Sequence, residues 1–263
     1  HGALSINSDN IFPIIKKWLY SDHDIFYREL ISNGCDAITK LKKLDMMGEY
    51  ELPEGYKPRV DVIVDPDAKT IRFIDNGVGM TADEVEEYIN QIAFSGATDF
   101  IAKYKDKTND DQIIGHFGLG FYSVFMIADK VTIDTLSFRE GATPVRWESE
   151  DGMAFTMTEG TRTTRGTTIT LHVSEAESEF LEVWRVREVL DRYCSFMSVP
   201  IYLDEIKEEE AKVTGEGEGA EEKPEAEKEA PKPINDTQPL YARAPQDLSL
   251  IHISEPTRQA EIS

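Results

Sequence analysis

One helix-sized stretch limits what this chain can become: Asp24-Ile-Phe-Tyr-Arg-Glu-Leu-Ile-Ser-Asn-Gly-Cys-Asp-Ala-Ile38. Glu29, Asn33 and Asp36 recur at i, i+4 and i+7, so all three share one face of a helix. Phe26, Leu30, Ala37, Ile38 and Leu41 form an adjacent apolar stripe that buries it. Two acids and an amide beside a buried face cost desolvation energy that something must offset. A hard cation such as Mg2+ would do so, since it takes oxygen ligands and keeps few protein ones. Taken alone, the same pattern also fits a solvated helix flank.

The rest of the chain supplies a sheet. A short helix is expected over 9–20, capped by Asp9 with Pro13 in its first turn. The main helix runs to about Met46, and Gly48 and Pro53 mark a loop. Val60–Val64 and Thr70–Ile74 read as a hairpin about Pro66-Asp67. Residues 81–92 read as a helix with a capping box, Thr81 and Glu84. Residues 95–120 lack periodicity and form a long loop of the functional kind. A helix restarts at Gly120. Alternating segments at 131–138, 144–149, 153–158 and 167–173 predict an antiparallel sheet. Residues 178–197 predict one amphipathic helix carrying Phe180, Leu181, Trp184, Val189, Leu190 and Tyr193. Pro200 ends it, before a last strand at 201–203.

Two further stretches carry chemistry. Asp75-Asn-Gly-Val-Gly79 leaves a strand whose Ile71, Phe73 and Ile74 face inward. Asp75 therefore sits near the core and needs a donor, which an adenine amino group or Thr167 opposite could supply. The glycines allow backbone to approach a flat ligand, although the pentapeptide is also good turn chemistry. Gly115-His-Phe-Gly-Leu-Gly120 ends the long loop at a helix start, an arrangement suited to phosphate. It lacks the Lys-Ser/Thr ending of a Walker A loop and follows no strand, so it is neither a P-loop nor a Rossmann turn. His116 and His23 have no second ligand at metal spacing, and no zinc site is expected. Arg28 and Lys40 are expected in local ion pairs.

Charge and composition narrow the partners. The 263 residues carry a net charge of −22, of which ten acids and five bases in 207–232 contribute −5. Such a field disfavours DNA and anionic membranes. No apolar run reaches the ~18 residues of a membrane span. Cys35 and Cys194 read as two buried free thiols, in keeping with a reducing compartment. The chain starts at His1, so its natural start is expected upstream.

Taken in order, the acid-amide-acid helix, Asp-x-Gly-x-Gly, the glycine lid and Gly-Thr on a strand resemble the ATP-binding fold shared by gyrase B, heat-shock protein 90, histidine kinases and MutL. Ser21 to Asn33, Asp75-Asn-Gly-Val-Gly-Met80, Ile114-Gly-His-Phe-Gly-Leu-Gly-Phe-Tyr-Ser123 and Arg165-Gly-Thr167 resemble the heat-shock protein 90 chaperone family, above all its bacterial HtpG type.

The resemblance implies an α/β (α+β) two-layer sandwich, a mostly antiparallel sheet covered on one face by helices, with an ATP lid over 95–120. It implies ATP or ADP with Mg2+ as cofactors. Glu29 matches the general base for the attacking water, Asn33 the Mg2+ ligand, and Asp36 a pocket residue beside it. Asp75 matches the adenine-reading carboxylate, supported by Gly79 and Thr167. Ala37 and Met80 match pocket walls, and Gly118, Leu119, Gly120 and Phe121 the phosphate-contacting end of the lid. Phe94 stands where many members carry lysine, and Tyr88 where an amide is common.

The expected organisation is an ATP-binding domain over 1–206, an acidic disordered linker over 207–233, the start of a truncated middle domain over 234–248 and a non-native tail over 249–263. The stretch Ser249-Leu-Ile-His-Ile-Ser-Glu-Pro-Thr-Arg258 resembles sequencing-adapter read-through. Expected of the parent are a cytoplasmic homodimer, unfolded client proteins as partners, and no nucleic acid or membrane. The family's middle-domain arginine is not expected in this chain, so hydrolysis should be slow. The competing classes are a DNA-handling ATPase of the gyrase B or MutL kind, a histidine kinase catalytic domain, and a non-catalytic nucleotide sensor. Glu29 counts against the kinase, and the acidic surface against DNA handling.

Overall fold

The structure is a computed structural model that describes residues 24–91, 120–150, 152, 154–206 and 232–237. Expectations for 9–20, for most of the lid (Phe94, His116, Gly118 and Leu119 included), for His23, for the bulk of the linker and for 249–263 lie outside them.

Helix α1, Ile25–Met46, follows the apolar period closely. Phe26, Tyr27, Leu30, Ile31, Cys35, Ile38 and Leu41 are buried along it. Asp24 at its start makes no side-chain cap. Instead its carboxylate accepts two hydrogen bonds from Arg185 Nη2, at 2.8 and 3.0 Å. This pair, nearly buried on the carboxylate side, ties α1 to a helix far along the chain.

The strands β1 (Val60–Asp65), β2 (Thr70–Asp75), β3 (Ala128–Leu136), β4 (Val145–Ser149), β5 (Phe155–Glu159), β6 (Gly166–Val173) and β7 (Ile201–Glu205) form one sheet in the order β5-β4-β3-β6-β2-β1-β7. Every pairing is antiparallel except β1 with β7. The mostly antiparallel α+β sandwich is therefore observed. Strand alternation turns Val60, Val62, Val64, Ile71, Phe73, Val131, Ile133 and Leu171 to one side. α1 covers that side, where Phe26 meets Phe73 and Phe180 edge-on at 6.2 and 5.6 Å.

Thr81 caps α2, Ala82–Val85, and the capping box with Glu84 is complete. The helix continues as a π-helical stretch, Glu86–Gln91. The helical restart at Gly120 is a 3-10 turn, Gly120–Met126, with every residue buried.

The single helix expected over 178–197 is two pieces. A 3-10 stretch, Glu175–Leu181, ends at Glu182, whose ψ of 113° is extended. Helix α3, Val183–Cys194, starts anew from it. The break resets the helical phase, so Trp184 is 66% exposed instead of buried. Phe180, Leu181, Val189 and Leu190 keep their place in the core.

Beyond the acidic run the chain returns to this domain. Asn235, buried, accepts from the Ile201 amide at 2.8 Å and donates to the Met197 and Val199 carbonyls, both at 2.9 Å. Ile234 and Asp236 amides add bonds to the Ile201 and Ser195 carbonyls, both 2.8 Å. Asn235→Ala would strand one amide and two carbonyls. It should destabilise the domain by about 2 kcal/mol, read as a lower denaturation midpoint in urea at unchanged slope. A midpoint equal to wild type would show that the clip does not hold.

Candidate functional site

Between α1 and the sheet lies a cavity of about 670 Å³. α1 contributes Glu29, Asn33, Asp36 and Ala37 to its wall. The segment after β2 contributes Gly79 and Met80, with Asp75 at the strand end, and Phe121 and Thr167 complete the opposite side. The structure thus brings together nine of the residues singled out in the sequence. Ala37, expected in the buried stripe, is half-exposed at this wall. Lys40, expected in an ion pair, makes none among the described residues and lines the cavity. Tyr88 is at its rim.

The Asp-Asn-Gly-Val-Gly segment is a wall held on both sides, not a free turn. The Val78 amide donates to the Ala37 carbonyl at 3.3 Å, and the Phe138 amide to the Val78 carbonyl at 2.8 Å. At Gly77 a Cβ would lie 2.6–2.7 Å from the backbone and Cβ of Ala37. Gly79 has φ +62°, and a Cβ there would meet the Leu136 carbonyl at 1.9 Å. Both glycines are needed for the loop to pass between α1 and β3. Asn76 fastens the outer side. Its Oδ1 accepts from the Arg59 amide at 3.1 Å and the Tyr56 hydroxyl at 3.2 Å, and its Nδ2 donates to the Lys57 carbonyl at 2.7 Å.

Asp75 pairs with Thr167 across the β2–β6 ladder. Burial pushes its carboxyl up to about 6, against hydrogen bonds from the Gly77 and Thr167 amides and the charge of Arg162. The Gly77 amide binds Oδ1 at 2.8 Å. Thr167 thus helps Asp75 through its backbone, while its hydroxyl lies 3.0 Å from that of Thr135. Thr135 Oγ1 also accepts from the Met80 amide at 3.0 Å. Thr135 was not singled out in the sequence, where it reads as one more core position of an alternating strand.

Glu29 is half-buried. Desolvation raises its carboxyl, the nearby Arg28 lowers it and Asp36 raises it again. A Cβ on Gly120 would sit 2.1 Å from Glu29 Cδ. Only glycine lets the carboxylate lie against the backbone that opens the 3-10 turn. A carboxyl with raised affinity for a proton, at the edge of a cavity, has the character of a general base.

The fold and this cavity define a class, and comparison with known proteins agrees. Residues 27–180 match the family model described as Histidine kinase-, DNA gyrase B-, and HSP90-like ATPase, and the chain belongs to that family. Its relatives point to one branch. It is 46% identical over 248 residues to the chaperone protein HtpG of Porphyromonas gingivalis, covering 94% of this chain and 34% of that protein. The same identity and coverage hold for HtpG of Bacteroides thetaiotaomicron. HtpG of Geobacter metallireducens is 39% identical over 240 residues, 88% of this chain and 36% of that protein. The chain spans about a third of the length of these relatives. Among the described residues, no helix is long and apolar enough to cross a membrane.

Proposed function

We propose that this chain is the nucleotide-binding ATPase domain of an HtpG-type chaperone and that the cavity holds ATP or ADP with Mg2+. The observation that carries the reading is the meeting of a buried, backbone-braced carboxylate, Asp75, with Glu29, Asn33 and Asp36 on one cavity wall. Asp75 accepts from the adenine amino group. Gly79 and Met80 let the base lie flat, and Ala37 and Thr167 shape its edges. Asn33, exposed on the wall between two carboxylates, suits Mg2+, which keeps few protein ligands and otherwise binds phosphates and water. Asp36 supports the pocket beside it. Gly118, Leu119, Gly120 and Phe121 meet the phosphates.

Glu29 would take the proton from the water that attacks the terminal phosphorus, as the bond from that phosphorus to the ADP oxygen breaks and ADP leaves. Phosphoryl transfer needs little covalent chemistry from the protein, so positioning and charge neutralisation carry most of the effect. In the parent protein this cycle acts on unfolded clients within a cytoplasmic homodimer. Two buried cysteines without a disulfide are in keeping with that compartment.

The test is phosphate release by the chain with Mg-ATP, with and without duplex DNA. The expected result is slow release that DNA does not change. Stimulation by DNA would favour the gyrase B or MutL branch.

A further inference from the structure

Arg162 lies in the turn between β5 and β6, outside every motif singled out in the sequence. Its guanidinium spans that turn. Nε donates to the Thr164 carbonyl and Nη2 to the Arg165 carbonyl, each at 3.2 Å, and Nη1 donates to the Thr168 hydroxyl. The three acceptors bracket Gly166 and Thr167. Gly166 has φ +115°, and a Cβ there would lie 2.2 Å from the Asp75 carbonyl and 3.0 Å from Arg162 Nη2. Arginine, glycine and Asp75 backbone are therefore in one close stack.

The near end of the turn is fixed separately. The Thr161 amide reaches both oxygens of Asp134 at 3.1 Å, and its hydroxyl donates to Oδ2 at 2.5 Å. Arg162 thus stands between two nearly buried carboxylates, Asp134 and Asp75. Burial lowers its own proton affinity, and the two carboxylates offset only part of that.

We propose that Arg162 is a positioning residue for nucleotide recognition: it clamps the turn so that Gly166 and Thr167 meet Asp75 in register, and it supplies the cation behind that carboxylate. The proposal rests on the reading that Asp75 receives the base. Around Asp75, α1 presents Cys35, the loop before β1 presents Tyr56, and the β5–β6 turn presents Arg162, the cation of the three. Glu29 and Asp36 share the same cavity. The three acceptors are met by three different nitrogens of a rigid planar fork, whereas an ammonium group presents its donors from a single point.

The experiment is calorimetric titration with Mg-ADP across a pH series, on wild type, Arg162→Gln, Arg162→Lys and Asp75→Asn, with folding followed by circular dichroism. Arg162→Gln should weaken binding about tenfold near neutral pH. It should also move the acid-side loss of affinity above its wild-type position near 6. Arg162→Lys keeps the charge without the fork. It should restore the wild-type pH position while binding about threefold more weakly than wild type.

Wild-type affinity in Arg162→Gln overturns the proposal, as does a uniform loss with no displacement along pH. If Arg162→Gln does not fold, Arg162→Lys decides, and wild-type affinity there removes the clamp. If Asp75→Asn binds like wild type, the site reading has failed instead. If Asp75→Asn abolishes binding and the Arg162 variants do not change it, only the clamp has failed.

Discussion

Asp75→Asn should abolish adenine-nucleotide binding while making the empty domain more stable near neutral pH. The Gly77 amide already binds one carboxylate oxygen at 2.8 Å. Asparagine keeps that bond with its carbonyl and presents its amide protons where a ligand's amino group must donate. Two donors then face each other. A site built around one hydrogen-bonded group rejects the wrong partner by about 10⁴ or more.

The stability gain follows from titration. In the fold Asp75 is raised from 3.8 to about 6, so its ionised form is the disfavoured one. The cost is fully present above about pH 6. It shrinks as pH falls toward 4 and is gone below the unfolded value. Two units correspond to about 3 kcal/mol at the upper bound. Wild type should therefore gain stability relative to Asp75→Asn on going from pH 7 to pH 4. Nucleotide affinity should move the other way, falling below about pH 6 as the acceptor is protonated. Thermal melts of both chains at those pH values check the first point. A variant no more stable than wild type at pH 7 would show that the carboxylate is not buried at a cost.

Glu29→Ala should keep nucleotide affinity within about twofold and lower turnover by a factor of about 10² to 10⁴, as expected for loss of a general base. The measurement belongs in a chain extended to the length of its HtpG relatives, where the basal rate is large enough to lose. Glu29 also fills the space over Gly120, so alanine opens a void beside the 3-10 turn. Glu29→Gln fills the same volume without a base and should lose the same turnover. If either variant loses affinity along with turnover, Glu29 is holding the wall rather than the water.

Much of the site was legible because its residues lie on regular elements. The i, i+4, i+7 spacing placed Glu29, Asn33 and Asp36 on one face, and α1 follows that period from Ile25 to Met46. Asp75 stood out because a carboxylate ends a strand of inward apolar residues, and the Asp75–Thr167 register came with it. The capping box at Thr81 is a local signal and was read locally.

Other features have no local signal. Thr135 joins Met80 from 55 residues away. Asn235 docks 34 residues from Ile201 across a low-complexity run. The break at Glu182 was hidden because Phe180 and Leu181 lead into Trp184 at i+3/i+4 spacing and Val189 and Leu190 lead into Tyr193 at the same spacing, so each group reads as helix by itself. In the fold, those two groups pack from separate pieces, and only the exposed Trp184 betrays the change of phase.

The most direct test of the central claim is a pair of calorimetric titrations with Mg-ADP and Mg-GDP. Guanine carries an oxygen acceptor where adenine carries its amino donor, so it would set an acceptor against the Asp75 carboxylate. The account predicts saturable one-to-one binding of Mg-ADP, with Mg-GDP weaker by at least about a hundredfold. Equal affinity for the two, or no binding of either by a folded chain, would contradict it.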